Sequence, residues 1–306
     1  VRVKLAGGLV LGLVLAGCSG AAPPAAAPAL PPVAQIWPTQ LPTPTGAPPA
    51  GSAADTAAGD LAAPPAARAG PRGGGPDWTF AVVGDTWKDT PMLRYILHDA
   101  VAHHDSLLVD LGDLTPQGRP EQLAEFARLA RGAGLPVYAV PGNHDVAWSQ
   151  NTQPFEQFWP RHQSFDYRNA HFTIADDSAV TFSRAELAWV AADLAATAQP
   201  LKFVFVHVPP LMPYPVPAES ALQAGGPEFS ALMEQYQVTT VFAGHLHAYT
   251  RLERNGVPYV ITGGGGEPLH VPALLGGRYH YVRVAVQGTT TQETMIALDT
   301  VPTPTP

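Results

Sequence analysis

Cysteine is nearly missing from this chain: Cys18 is the only one in 306 residues. That excludes an intrachain disulfide and any cluster of thiolate ligands, so a metal ion would have to be held by nitrogen and oxygen. Positive charge is scarce too. There are 17 Lys and Arg against 25 Asp and Glu, for a net charge of −8, which leaves no basic patch to neutralise a nucleic-acid backbone. A phosphate-bearing substrate would have to find positive charge locally, in a metal ion or a few basic side chains. Long apolar runs are also lacking. The stretch from Leu5 to Ala16 is too short to span a bilayer.

What that stretch does form is part of an export signal. Arg2 and Lys4 precede it, and the small residues Gly17-Cys18-Ser19 follow. Leu15-Ala16-Gly17-Cys18 resembles the lipobox of bacterial lipoproteins. The resemblance implies cleavage before Cys18, lipid on its sulfur and amine, and an extracytoplasmic protein that meets the membrane through that anchor only. Val1 is read as a non-standard start codon. Residues 1–18 are thus expected to be a lipoprotein signal peptide with its lipobox Cys. Residues 19–76, rich in Ala, Pro, Gly and Thr without apolar periodicity, read as a disordered linker. Residues 77–299 make one domain of ordinary size, and 300–306 a disordered tail.

The domain is organised around Pro141-Gly142-Asn143-His144-Asp145, which follows the apolar strand-like run Leu135–Val140. Earlier, Trp78–Val83 and Ser106–Leu111 are buried strands ended by Gly84-Asp85 and Gly112-Asp113. Helical spacing over Pro91–His103 (with Thr90 as a possible cap) and over Pro120–Arg131 separates the three. Strand, helix, strand, helix, strand predicts a parallel sheet with right-handed crossovers. Each strand ends in glycine plus a possible metal ligand, at the carboxyl edge where α/β folds carry their sites. Taken alone, Asn-His-Asp after Pro-Gly reads equally well as a polar turn; the recurrence argues for a site.

Pro154–Pro160 suggests a short helical excursion, and Ser164–Arg168 with His171–Ala175 a hairpin across Asn169-Ala170. Ser183–Ala198 reads as a helix, with Ser183 as cap and Glu186 closing a capping box. Lys202–Val206 is a fourth buried strand, ending at His207 beside a proline-rich loop, Pro209–Pro227. After a helix over Phe229–Tyr236, the strand Val238–Phe242 ends at Gly244-His245-Leu246-His247. Strands over Tyr249–Glu253, Val257–Thr262, His280–Val286 and Thr291–Leu298 follow, the first two joined by the Asn255-Gly256 turn. Two sheets packed face to face, with helices outside, are expected.

Five strand ends therefore supply Asp85, Asp113, Asn143, His207, and the pair His245 and His247. Carboxylates, an amide oxygen and imidazoles suit Mn, Fe or Zn. Two histidines alternating across Leu246 point opposite ways and could serve different ions. A pair of metals about 3.5–4 Å apart activates water and stabilises in-line displacement at phosphorus.

In this order, Gly84-Asp85, Gly112-Asp113, Gly142-Asn143-His144-Asp145, His207 and Gly244-His245-Leu246-His247 resemble the motifs of the calcineurin-like metallophosphoesterase superfamily. The resemblance implies an α/β fold: a four-layer α/β/β/α sandwich of two mixed sheets with a dinuclear centre at the sheet edge. It implies that Asp113 bridges the metals. Asn143, His207 and His245 complete one site, and Asp85 and His247 serve the other. His144 is the non-ligand histidine that protonates the leaving oxygen or stabilises charge, with Asp145 as a weaker candidate to orient it.

One departure stands out. Most members carry Asp-x-His in the first motif, and here Trp87 takes that place. Its only ring nitrogen is a donor, with no lone pair for a metal. The tyrosine that the purple acid phosphatase branch uses instead would fall at Pro116. The Asp85/His247 site is therefore expected to be the weaker one, and mononuclear and dinuclear centres both stay open.

Other residues carry less. Trp87 and Trp148 are candidates for the pocket wall. Gly263–Gly266 resembles a family stretch where backbone nears the metals, and without a following helix and Lys-Ser/Thr it is not a P-loop. Arg251 and Lys88 are candidates for phosphate contact. His98, His103, His104, His162, His171, His270 and His280 read as ordinary histidines, His270 being the exception to watch. The expectation is a phosphoesterase acting on a small phosphorylated substrate, monoester or diester, in which metal-held hydroxide attacks phosphorus while His144 assists the leaving group. The rival is a relative that binds metal or a phosphorylated ligand without turnover, supported by Trp87.

Overall fold

The computed structural model describes residues 77–87, 91–216 and 220–299. Residues 1–76 (which include Cys18 and the expected signal peptide and linker), Lys88, Thr90 and residues 300–306, where the tail is expected, lie outside the described residues.

Strands β1 (Trp78–Val83), β2 (Leu108–Asp110) and β3 (Val137–Ala139) alternate with helices α1 (Pro91–Ala102) and α2 (Pro120–Arg131). The three strands pair in parallel, Val82 beside Val109 and Val109 beside Tyr138. After two short helices, α3 (Asn143–Ala147) and α4 (Gln153–Glu156), the hairpin β4 (Gln163–Tyr167) and β5 (Ala170–Ile174) opens the second sheet. It continues through α5 (Arg184–Ala196), β6 (Leu201–Val206), α6 (Gly226–Gln235), β7 (Thr240–Ala243), β8 (Tyr249–Arg254) and β9 (Val257–Thr262). The chain then returns to the first sheet as β10 (His280–Gln287) and β11 (Thr290–Ala297). The strand orders are β11-β10-β1-β2-β3 and β4-β5-β6-β7-β9-β8. Both sheets are mixed: β10 runs antiparallel to β1, and β5, β6, β7 and β9 run parallel with antiparallel β4 and β8 at the edges.

The two-residue period of the strands makes the layers. Trp78, Phe80 and Val82 of β1 face Phe172, Phe203, Phe205 and Phe242 across the inter-sheet core. Ala81 and Val83 turn the other way, onto Met92, Leu93 and Ile96 of α1 and Leu123 and Phe126 of α2. β6 repeats the pattern, sending Val204 and Val206 toward Val190 and Leu194 of α5 and Phe229 and Met233 of α6. The result is the four-layer α/β/β/α sandwich expected from the sequence. Its centre is aromatic: Phe80 meets Phe172 and Phe203 edge-on at 5.2 and 5.0 Å, the geometry that ring quadrupoles favour. Truncating such a residue costs about 3–5 kcal/mol. No helix among the described residues is long and apolar enough to cross a membrane.

Several local expectations shift. The hairpin turn falls at Arg168-Asn169, with Arg168 at φ 52°, and Ala170 already pairs with Tyr167 and Leu201. Helix α6 begins at Gly226 rather than Phe229, because Pro227 in the first turn has no backbone N–H to lose. Ser183 does cap α5, accepting from Glu186 N at 3.0 Å. The Glu186 side chain does not close the box: it accepts from Asp176 N and from Arg161 Nη2 at 3.0 and 2.9 Å. The segment after Gly142 is a short helix rather than a turn.

Candidate metal centre

Parallel strands of both sheets end at one shared edge, and the polar residues just past them meet there. From the first sheet come Asp85 after β1, Asp113 after β2 and Asn143 at the start of α3. From the second come His207 after β6 and His245 and His247 after β7. Backbone hydrogen bonds stitch these turns together: Asp85 N to Gly112 O at 2.9 Å, Gly244 N to His207 O at 2.9 Å, and Trp87 N to Asp113 O at 3.1 Å. Asp85 also accepts from His245 N at 3.1 and 2.9 Å, joining one sheet to the other.

The turns are strained. Asp85, Trp87, Asp113 and His245 all have left-handed backbones, with φ of 61°, 40°, 54° and 65°. Each departs from the conformation a side chain prefers by roughly 1–2 kcal/mol, and such strain gathers where function fixes a side chain.

The donors fall into two groups. In the first, ligand atoms of Asp113, His207 and His245 all lie within 4.8 Å of one another. Asn143 Oδ1 joins it, 2.9 Å from His207 Nε2. In the second, Asp85, His247 and Glu267 meet the same limit. His245 and His247 thus do part company across Leu246, one to each group.

The imidazoles are oriented from behind. His207 Nδ1 donates to Leu111 O at 2.8 Å, His247 Nδ1 to Pro268 O at 2.8 Å, and His245 Nε2 to Ser220 O at 3.0 Å. Because a carbonyl can only accept, each bond fixes the proton on the outward nitrogen and turns the other nitrogen's lone pair inward in the neutral ring. Metal-ligating histidines are held in this way. The donor set and its tautomers therefore fit divalent ions.

The electrostatics agree. Burial pushes Asp85 up to about 6 despite His247 beside it. Burial also works to raise Asp113, yet the charges of His207 and His144 hold it below the usual carboxylate range. Burial works to lower His207, and Asp113 and Asp85 nonetheless carry it up to about 10. His247 is likewise raised, burial being outweighed by Glu267 and Asp85. Burial and the charge on His207 push His245 down to about 3. The pocket attracts positive charge, and protons there compete with a metal ion for the same lone pairs.

His144 belongs to neither group. Its backbone N–H donates to Asp113 Oδ1 at 2.8 Å, and its Nδ1 donates to Pro116 O at 2.9 Å, so Nε2 is the working nitrogen. Burial tends to lower its pKa, but Asp113 and Glu267 raise it above the ordinary value. Trp87 stands edge-on to it, ring centroids 5.6 Å apart. Trp87 is thus a wall beside His144.

Asp145 differs from expectation. It does not hold the His144 ring; it accepts from Gly142 N, Thr115 N, Leu114 N and Thr115 Oγ1 at 3.0, 3.0, 3.2 and 3.1 Å. As third residue of α3 it binds the helix start to the turn after β2, which places Asn143 and His144 against Asp113. Its part is positioning.

Two residues were not read from the sequence. Glu267, 8% exposed, follows Gly263–Gly266 past the end of β9, with its N–H on Asp85 O at 2.8 Å. A carboxylate just beyond a glycine-ended strand was the available signal. Asp177 accepts from His207 N and Val208 N at 2.8 and 2.9 Å, and burial pushes it up to about 7. The glycine run works by close approach: a Cβ on Gly263 would lie 2.5 Å from Asp85 Oδ2. His270 packs at a tilt against His247, ring centroids 4.0 Å apart. Arg251 is turned to Glu293 at 3.8 Å on β8, away from a phosphate role. Trp148 ends α3, its N–H on Gln117 O at 2.9 Å.

Comparison with known proteins gives a family and a fold. The family description "calcineurin-like phosphoesterase" matches residues 79–249. A 3',5'-cyclic-nucleotide phosphodiesterase of Nostoc sp. is 26% identical over 160 residues, covering 50% of this chain. The chain spans about 60% of the length of that curated relative. Among solved structures, purple acid phosphatase PPD1 of yellow lupin superposes with a TM-score of 0.60 at 16% identity, covering 72% of this chain and 51% of its own. GAP50, described as the anchor in the inner membrane complex of Plasmodium, superposes with a TM-score of 0.56 at 14% identity, covering 74% and 86%. At such identities the superpositions speak for the fold alone.

Proposed function

Because the chain belongs to the calcineurin-like phosphoesterase family, we propose that it hydrolyses phosphoester bonds in small phosphorylated substrates, monoester or diester, at a two-metal centre. The observation that carries this is the pair of buried donor groups at one edge, with a histidine beside them that belongs to neither. Bound divalent or trivalent ions (Mn, Fe or Zn) supply Lewis acidity at the phosphoryl oxygens and a water deprotonated near neutral pH.

The chain's own residues do the rest. Asn143, His207 and His245 would hold one ion and Asp85 and His247 the other, with the Asp113 carboxylate available to both. His144 Nε2 gives its proton to the departing oxygen, and the Pro116 carbonyl keeps the ring turned for that transfer. Trp87 shields the ring from water on one side. A phosphate brought to so acidic a chain depends on the ions for its charge partner.

The reading without turnover rested on Trp87 leaving one ion short of a ligand. Glu267 lies in the same donor group as Asp85 and His247, which weighs against that reading. The lipobox at Cys18 and the segment before it support an extracytoplasmic address with a lipid anchor. A Cys18→Ser chain expressed in bacteria is then expected to lose label from radioactive palmitate and leave the membrane fraction.

The test of the activity is a panel of phosphomonoesters and phosphodiesters, with 3',5'-cyclic nucleotides included on the strength of the Nostoc relative. The chain is reconstituted separately with manganese, iron and zinc. Hydrolysis that needs the ion and vanishes in His207→Ala is expected. An ion-loaded chain inert to the whole panel, or activity surviving His207→Ala, overturns the reading.

A further inference from the structure

Glu267 is the residue at this centre that the motif order leaves without a task. Its carboxylate is buried, and Oε2 approaches His247 Nε2 to 3.3 Å. That oxygen is sealed from solvent and satisfied by no hydrogen bond. Its polar neighbour is His247 Nε2, which carries no proton in the tautomer set by Pro268 O. A buried carboxylate facing a lone pair is strongly unfavourable unless a proton or a metal ion lies between them. The backbone is built to keep it there. Gly265 N donates to Gly84 O and Glu267 N donates to Asp85 O, at 2.9 and 2.8 Å, so the segment is laced to the very turn that carries Asp85. Glycine at 263 and 265 is what allows the approach, since added Cβ atoms would lie 2.5 Å from Asp85 Oδ2 and from Gly84 O.

Trp87, on the same turn, offers an indole N–H and no lone pair, and its ring packs against His144. We propose that Glu267 is a metal ligand occupying the coordination position that Trp87 cannot fill, so that the chain has two unlike ion sites. One site is carboxylate-rich: Asp85, Glu267 and a single imidazole, His247. The other holds two imidazoles, His207 and His245, with the amide of Asn143 and the carboxylate of Asp113. Oxygen donors suit harder ions such as Mn²⁺, and imidazoles suit Zn²⁺ and Fe²⁺. The first site is therefore the more accommodating of Mn²⁺, and the second discriminates more strongly in favour of Zn²⁺. This rests on the metal reading of the centre above, and it reassigns the weakened site as a differently tuned one.

The experiment is ion binding on the full chain, stripped with chelator and dialysed against Mn²⁺. Bound metal is counted by elemental analysis, and the Mn²⁺ resonance spectrum is read for a coupled pair. Wild type is expected to hold two ions per chain with the coupled signal. Glu267→Ala is expected to keep one, lose the coupling, and bind the other at least about 100-fold more weakly, beyond what loss of an outer hydrogen bond costs. Glu267→Gln keeps the shape without the charge, decides the case if the alanine variant fails to fold, and is expected to weaken Mn²⁺ at the first site by a larger factor than Zn²⁺. Variants that keep both Mn²⁺ ions at wild-type affinity overturn this proposal alone. A wild-type chain that takes up no ion overturns the metal reading and this proposal together.

Discussion

Gly142 lies so close against Asp113 that a methyl group on its Cα would overlap both the Asp113 backbone nitrogen and Oδ1. Neither neighbour can yield, because Oδ1 also accepts from His144 N at 2.8 Å. Gly142→Ala is therefore expected to displace the Asp113 carboxylate and strip the ion it shares with His207 and His245. Metal content should fall by at least one ion per chain while the helices, read by circular dichroism, persist. Unchanged metal content would show that Asp113 is not held by this contact.

His144 is expected to act on the reaction and not on metal binding. His144→Ala should keep the wild-type metal content and lower kcat about 10²–10⁴-fold, the usual worth of a positioned general acid. The loss should shrink for an ester whose leaving group is a weak base, such as p-nitrophenol, because that oxygen departs without a proton. An equal loss with both kinds of ester would count against the proton-donor role.

Asp177 holds the backbone of the turn that carries His207, accepting from His207 N and Val208 N. Asp177→Ala leaves two buried N–H groups without acceptors, and about 2–4 kcal/mol of stability should go with them. Denaturant unfolding of the metal-free chain measures this. A change under about 0.5 kcal/mol, the level of an ordinary surface substitution, would mean that water or another group takes over.

Far from the centre, His171 on β5 bonds Asp166 Oδ1 at 2.6 Å and Asp193 Oδ2 at 3.0 Å. Burial tends to lower its pKa, but these two carboxylates raise it above the ordinary histidine value. A histidine raised in the folded state stabilises below its unfolded pKa, and the contribution fades as pH climbs through the folded one. The gap in Tm between wild type and His171→Gln should therefore be wide at about pH 6 and narrow by about pH 9. A gap that stays constant or widens with pH would reverse the assignment.

The sequence announces a site residue wherever one follows directly on a buried apolar run. Asp85, Asp113, Asn143 and His207 were legible for that reason, as were the alternating His245 and His247. Glu267 was not, although it too lies past a strand end. The pair β8 and β9 reads locally as a hairpin, and nothing in it reveals that β9 leaves β8 at the edge and joins β7 in parallel, Phe242 beside Val260. That long-range choice of neighbour is what brings the end of β9 to the metal edge. Asp145 misled in the opposite sense. Its place next to His144 suggested a partner, but in a helix adjacent side chains diverge by about 100°. The capping position at the start of α3 claimed it.

The donors come from two stretches that meet only after both sheets exist, Asp85 to Asn143 on one and His207 to Glu267 on the other. An ion held between them favours the assembled chain and has little hold on separate halves, so its affinity is added to the native state by mass action. If the sheets join late in folding, the ion slows unfolding and leaves the rate of folding almost untouched. The chain would then keep its shape longest where metal is plentiful. Where metal is withdrawn, the edge between the sheets would be the first to exchange its amide hydrogens.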